Sequence, residues 1–194
     1  MVKVGFICEG YIEKRFVKTE NFQNYLATIG LECIDAIDAN GNGNLLPQNI
    51  REHHEKLKNQ NAEKIIILTD SDGKSRNDIE TRINPQILGH ILVIAVQEIE
   101  AWFLSDTLTL KDVLLKNQFK LKKNPEEIQK PSANFLPKLI KDNRRLLLSK
   151  KAIADLFLYK DTVKRKHFFK IENANCKSAK EFLKQLNNIS NTKI

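Results

Sequence analysis

The sequence predicts an α/β protein, an open, mostly parallel sheet of about four strands flanked by helices, with a basic, mainly helical extension at its C-terminal end. Three observations predict it. Short, nearly continuous apolar runs of the kind buried on both faces of a parallel sheet alternate with segments of helical period. Each of these runs ends on acidic residues or on a Gly- and Asn-rich turn. The charge texture then changes after Asp106: up to that residue the chain holds 11 Lys and Arg against 16 Asp and Glu, and beyond it 21 against 8.

Residues 2–8 (VKVGFIC) read as a buried strand that meets a turn at Glu9-Gly10. Over residues 12–29, Phe16, Phe22, Tyr25, Leu26 and Ile29 recur at mostly helical spacing, and Gly30 is placed to stop one helix. Residues 32–39 alternate apolar with acidic side chains, as a strand with one wet face at or near a sheet edge does. The loop Asn40-Gly41-Asn42-Gly43-Asn44 tolerates positive φ, and a polar helix is expected over residues 47–60. The β-branched run at residues 64–69 is the clearest strand and ends in Asp70-Ser71-Asp72-Gly73. A short helix over 77–83 and a buried strand over 90–96 complete the set. Lysine-rich helical patterns follow at 108–115, 135–148, 153–159 and 179–186, with a loop bracketed by Pro125 and Pro131. The organisation expected is an α/β core over residues 1–106 and a basic extension over residues 107–194, packed on it.

At 194 residues the chain is long enough for one well-buried domain with an appendage. No apolar run approaches the ~20 residues of a membrane helix, and the first residues enter a strand pattern instead of a signal peptide, so a cytoplasmic protein without membrane contact is expected. Cys8, Cys33 and Cys176 are odd in number and far apart, which suits neither a disulfide framework nor a zinc site. An acidic front half joined to a basic back half suggests a polyanionic partner, nucleic acid being the expected one, although a solvated lysine-rich surface has the same composition. A homodimer is also open.

In open α/β sheets, ligands sit beyond the carboxyl ends of the strands. Glu9 follows the first strand, Asp70 and Asp72 the third, and Glu98 and Glu100 the fourth. Residues two apart in an extended segment point the same way, so each of the last two pairs projects together, and Glu13 lies one helical turn beyond Glu9. Like charges gathered at one edge call for protonation or a cation, and hard carboxylate oxygens without Cys or His favour Mg²⁺ (or Mn²⁺). Against this, Glu13 and Asp72 also suit plain helix capping, and a strand-to-helix junction welcomes acids such as Glu98 and Glu100.

At these residues the chain resembles the Toprim-like group, with Ile7-Cys8-Glu9-Gly10-Tyr11-Ile12-Glu13 and then Leu68-Thr69-Asp70-Ser71-Asp72. It looks closest to a bacterial Toprim-like family of uncharacterised function that also carries the segment found here as Glu98-Ile99-Glu100-Ala101-Trp102-Phe103-Leu104-Ser105-Asp106. Lys130-Pro131 and the stretch from Asn175 to Phe182 extend the similarity over nearly the whole chain. The resemblance implies Glu9 as general acid/base and Asp70 and Asp72 as Mg²⁺ ligands. Through the related OLD-type and RloB-like proteins, it implies a nuclease often partnered with an ATPase in phage defence.

The expectation is therefore a Mg²⁺-dependent nuclease with Glu9 and Glu13 as catalytic groups and Asp70, Asp72, Glu98 and Glu100 at the metal. The alternatives are a non-catalytic subunit that binds nucleic acid or an ATPase partner and keeps the acidic pocket as a structural or regulatory metal site, and an enzyme acting on a small phosphorylated molecule. Arg144, Arg145, Lys164, Arg165 and Lys166 are the nucleic-acid candidates, with Phe168 and Phe169 either stacking on bases or buried. His53 and His54 point to different faces of a polar helix and read as surface residues, His90 and His167 have no motif around them, and Trp102 reads as core.

Overall fold

The computed structural model describes residues 1–159 and 166–191. Four strands, β1 (Val2–Cys8), β2 (Leu31–Asp38), β3 (Lys64–Asp70) and β4 (Ile91–Ala95), form one parallel sheet in the order β2-β1-β3-β4. This is the open parallel α/β sheet the sequence predicts, with β2 at an edge. Register sets the chemistry: Cys8 lies opposite both Asp38 of β2 and Leu68 of β3, so the carboxyl ends of three neighbouring strands finish side by side.

The helical period over residues 12–29 resolves into two helices, α1 (Tyr11–Val17) and α2 (Glu20–Thr28), where one was expected. Thr19 breaks the run. Its backbone is extended, and its hydroxyl donates to the Phe16 carbonyl at 2.7 Å and accepts from the Phe22 amide at 3.4 Å, an N-cap in the middle of the periodic segment. The break lets Phe16 and Phe22 pack together, ring centroids 4.6 Å apart. The polar helix α3 (Arg51–Asn59) begins later than expected, because the 3-10 turn at Asn42–Leu45 is followed by a bend and turn over residues 46–50. Helix α4 (Arg76–Ile83) starts on a reciprocal cap between Ser75 and Asp78.

The remaining helices are α5 (Glu100–Ser105), α6 (Thr107–Leu114), α7 (Leu136–Arg144), α8 (Lys150–Leu158) and α9 (Lys177–Asn191). Asp106 is fully buried and caps α6 through Thr109, whose hydroxyl donates to its carboxylate at 2.8 Å. The helix expected over 135–148 ends at Arg144, where Arg145 takes the left-handed conformation (φ 56°). The stretch near Pro125 and Pro131 is not plain loop: it holds a 3-10 turn at Pro125–Glu127 and a π turn at Pro131–Phe135 that feeds α7.

One apolar cluster runs through both parts of the chain. It joins Val4, Phe6 and Leu68 of the sheet to Trp102, Phe157, Phe169 and Phe182. Trp102 stacks on Phe182 at 5.5 Å and donates its indole N–H to Ser178 Oγ at 2.7 Å, while Phe103 meets Phe157 and Phe169. The opposite sheet face packs Ile7, Ile65 and Ile67 under α3 and α4, and α3 lies so close that a Cβ on Gly5 would stand 2.8 Å from Leu57. Helix α9 covers the free edge of β4: Ser178 accepts from Val96 N at 3.3 Å and Gln185 donates to the Leu92 carbonyl at 3.4 Å, replacing a fifth strand. Among the described residues no helix is long and apolar enough to cross a membrane.

Because α9 supplies core to the sheet, Phe182→Ala is expected to cost about 3–5 kcal/mol. Urea unfolding followed by the single tryptophan and by far-ultraviolet circular dichroism should give one coincident transition, moved to lower urea. Two separate transitions would show that the basic part folds independently.

Candidate active site

The strand ends gather acids as the register dictates. The Glu9 amide continues the ladder by donating to the Leu68 carbonyl at 2.8 Å, and its carboxylate turns toward β3, accepting from the Thr69 hydroxyl and from the Asp70 amide at 3.2 Å. Asp70 accepts from the Ile99 amide at 2.9 Å, which ties the end of β3 to the start of α5. Glu13 projects from α1 and accepts from the Gly10 amide at 3.1 Å, so it does cap the helix, but it is also buried (5% exposed) and lines the same cavity as Glu9 and Asp70. Glu9 and Asp70, carried by separate strands, are thus in direct contact.

Glu100 is the most unusual member. It is 1% exposed, and among the described residues neither carboxylate oxygen has a well-formed hydrogen bond, its own backbone amide and Lys150 offsetting the burial only in part. Its counter-charge is the Lys150 ammonium, 3.4 Å away and 3.9 Å from Glu98. Lys150 opens α8 in the basic extension, so the two parts of opposite charge meet here. The cavity has a volume of about 440 Å³; beside Glu9, Glu13 and Asp70 it is lined by Asp38 from the end of β2, by Lys150 and Lys151, and by Tyr11. Gly41 donates to the Glu9 carbonyl at 2.7 Å, fixing the Asn40-Gly41 turn as part of the rim.

The electrostatics follow from burial and crowding. Burial, with the fields of Glu100 and Glu9 against a hydrogen bond from its own backbone amide, raises Glu13 from 4.5 to about 7. Burial and the charges of Glu13, Glu100 and Glu9 push Asp70 well above the usual carboxylate range. Burial raises Glu100 as well, against the pull of Lys150. For Lys150, burial alone would lower the pKa, but Glu100, Glu98, Asp70 and Glu13 together hold it above its ordinary value.

Three expected acids, Asp72, Glu98 and Glu100, do not line this cavity, Glu100 meeting it through Lys150. Strand β3 ends at Asp70, and Asp72 takes a left-handed turn (φ 50°), is exposed and does not line the cavity, so the extended alternation that paired it with Asp70 does not exist. The chain turns at Gln97 (φ 62°) and Ile99 takes the helical conformation (φ −56°, ψ −24°), so Glu98 and Glu100 are not on one extended segment. Glu98 is committed to Ser132, accepting from its amide at 2.7 Å and its hydroxyl at 2.9 Å. Among the described residues no three His, Cys, Asp or Glu side chains form a ready-made metal cage.

Of the basic candidates, Arg144 is half-buried and donates to the Val113 carbonyl at 3.4 Å, whereas Arg145 is exposed. Lys166 is exposed, its amide held by Asp112 at 2.9 Å; Lys164 and Arg165 lie outside the described residues. Phe169 is a core ring against Phe16 and Phe103 and is not available to stack on a base. His54 is not a free surface residue: its Nδ1 meets His90 Nε2 at 2.9 Å, and burial, with His54 beside it, lowers His90 to about 4. Sequence reasoning missed Asp38, Lys150, Lys151 and Tyr11. Asp38 obeys the same strand-end rule that found Glu9, but no local signal marks the lysines.

The chain matches the family described as Domain of unknown function (DUF4276) over residues 8–187, and it belongs to that family. No curated protein and no solved structure matches it.

A carboxyl group harder to ionise in the fold than in the unfolded chain contributes stability in acid that is lost as the pH rises through its folded pKa. For Glu13 the loss runs from pH 4.5 to about 7 and amounts to roughly 3 kcal/mol, with Asp70 and Glu100 acting in the same direction. Denaturation midpoints in metal-free buffer should fall over that window, and Glu13→Gln, which keeps the acceptor for Gly10, should flatten the slope. A midpoint that rises from pH 5 to pH 8 would contradict this assignment.

Proposed function

We propose that this DUF4276 protein is a Mg²⁺- or Mn²⁺-dependent enzyme that cleaves phosphodiester bonds in nucleic acid. The observation that carries the reading is Glu100, a buried carboxylate without a well-formed hydrogen bond among the described residues, whose charge acts on Glu13 and Asp70 and whose counter-ion is Lys150. A buried acid without donors is costly unless a cation or a proton satisfies it.

The donors fit a hard cation by their chemistry, since they are oxygens throughout. Asp70 and Glu100 would hold the ion, with Glu9 beside it; Asp70 Oδ1 is taken by Ile99 and Glu9 Oε2 by Thr69, which leaves one oxygen of each carboxylate uncommitted among the described residues. Such an ion polarises a phosphodiester and lowers the pKa of a bound water. The remaining work falls to the chain. The Thr69 hydroxyl and the Asp70 amide hold Glu9 in one orientation to move a proton, and Lys150, released from Glu100, stabilises charge on the phosphate. The Toprim-like resemblance of the Glu9 and Asp70 segments supports the same chemistry, with Glu100 taking the part expected of Asp72. A partner ATPase and a role in phage defence rest on that resemblance alone.

One observation favours the alternative of a non-catalytic nucleic-acid-binding subunit: Lys150 already stands at ion-pair distance from Glu98 and Glu100 and partly neutralises the pocket. Cleavage assays on DNA and RNA with Mg²⁺ or Mn²⁺ separate the two. Wild type should cleave, and Asp70→Ala and Glu9→Gln should each lower the rate about 10²–10⁴-fold. Calorimetric titration should show Mg²⁺ binding that Glu100→Gln weakens. Cleavage that survives both Asp70→Ala and Glu9→Gln would remove this site from the chemistry.

A further inference from the structure

The wall of the acidic cavity carries a group that the phosphodiesterase reading does not use. Tyr11 is the first residue of α1, two positions after Glu9, and the residue is 38% exposed beside the cavity. It is held in place from one side of the chain to the other. The Arg15 guanidinium lies 5.1 Å from the ring centroid and donates to the Tyr11 hydroxyl. Arg15 is fixed in turn by an ion pair with Asp155 at 2.6 Å and by the Tyr159 ring at 4.3 Å, and the Tyr159 hydroxyl donates to the Arg15 carbonyl at 3.1 Å. The third neighbour is different in kind: Lys151, whose ammonium lies 4.8 Å from the Tyr11 centroid, is exposed on a flexible stem.

We infer that Tyr11 is a stacking platform for one unpaired nucleobase and that Lys151 takes the adjoining phosphate, so that the substrate enters as a single strand or a frayed end. The inference rests on the phosphodiesterase reading of the same cavity and names its substrate class. Four features support it. An aromatic face stacks on any base, and its value rises when the ring is ordered in advance, as Arg15 and Tyr159 order this one. A lysine that leaves the ring when a base arrives has a phosphate within reach, because base and phosphate belong to one nucleotide. The cavity, at about 440 Å³, is the size of a site for a small organic ligand and so admits one nucleotide unit. A base inside a duplex keeps its faces in the stack and must leave it to meet a side chain. The short link from Tyr11 to Glu9 would then place the phosphate of the stacked nucleotide at the acids.

The test uses 12-nucleotide single strands of DNA and RNA carrying 2-aminopurine, the matching duplexes, and single strands with an abasic position, all with Ca²⁺ in place of Mg²⁺ to hold back cleavage. Wild type should bind single strands at least tenfold more tightly than duplexes and should quench 2-aminopurine. Tyr11→Ala should weaken single-strand binding about tenfold and abolish the quench, Tyr11→Phe should retain both, and the abasic strand should bind wild type and Tyr11→Ala alike. Lys151→Ala should lower the salt dependence of binding by a little under one counterion. Duplex bound as tightly as single strand, or an intact quench in Tyr11→Ala, overturns the inference, as does the absence of single-strand binding by wild type. Quenching by a protein that cleaves nothing with Mg²⁺ or Mn²⁺ overturns the phosphodiesterase reading and leaves the stacking site standing. Cleavage unaffected by Tyr11→Ala, with the quench unchanged, does the reverse.

Discussion

Repulsion among buried carboxylates is the constraint around which this structure is arranged. The parallel register of β2, β1 and β3 makes three strands end side by side, and the chain places an acid at or just beyond each end, Asp38, Glu9 and Asp70. Adding Glu13 from α1 and Glu100 from α5 gives a group whose burial and mutual repulsion raise the pKa values of Glu13, Asp70 and Glu100. The acids are held by groups whose positions are fixed independently: the amides of Gly10, Asp70 and Ile99 and the Thr69 hydroxyl. Core packing on both faces of the sheet supplies the free energy that keeps those groups where they are.

The basic extension takes on a different meaning in this light. Its charge suggested a surface that grips a polyanion at a distance from the acids, yet its contribution to the site is local. Helix α8 delivers Lys150 between Glu98 and Glu100 and Lys151 to the ring of Tyr11, while Arg144 is turned inward to Val113. Phe169, which looked able to meet a base, is spent on the core between Phe16 and Phe103. The aromatic residue exposed at the acids is instead Tyr11, inside the same turn of chain that carries Glu9 and Glu13. Acid, base and ring are therefore neighbours because α1 and α8 pack together, not because any one stretch of sequence combines them.

What could be read beforehand divides along physical lines. The strands were legible because β-branched apolar runs such as residues 64–69 have few other stable places, and the acids at their ends followed from strand polarity, which located Glu9 and Asp70 correctly. The errors came where backbone left the extended state: the left-handed turn at Asp72 and the helical conformation of Ile99 undid the alternation that paired Asp70 with Asp72 and Glu98 with Glu100. Neither residue is glycine, so nothing in the composition marked the turn. Thr19 was a signal present and unread, an N-cap inside an otherwise helical period. The Lys150 contact joins residues about fifty positions apart, and the His54–His90 pair joins two whose partners are fixed only by the packing of α3 against the start of β4. Such pairings depend on tertiary structure, which local pattern does not encode.

Glu98 and Glu100 show how the same side chain, two positions apart, is sorted into different duties. Both are buried acids near Lys150. Glu98 receives an amide and a hydroxyl from Ser132, so its charge is paired with dipoles that belong to the fold, and it serves to fasten the π turn at Pro131–Phe135 to the end of the sheet. Among the described residues Glu100 has no well-formed hydrogen bond, and its compensation comes from its own backbone amide and from an ammonium that a flexible side chain can withdraw. A fold that required Glu100 purely for architecture would satisfy it as fully as Glu98, since an unsatisfied buried acid costs stability and a nearby hydroxyl removes that cost. Leaving one of the pair unsatisfied, beside Asp70 and behind an exchangeable lysine, makes sense when the missing partner arrives from solution.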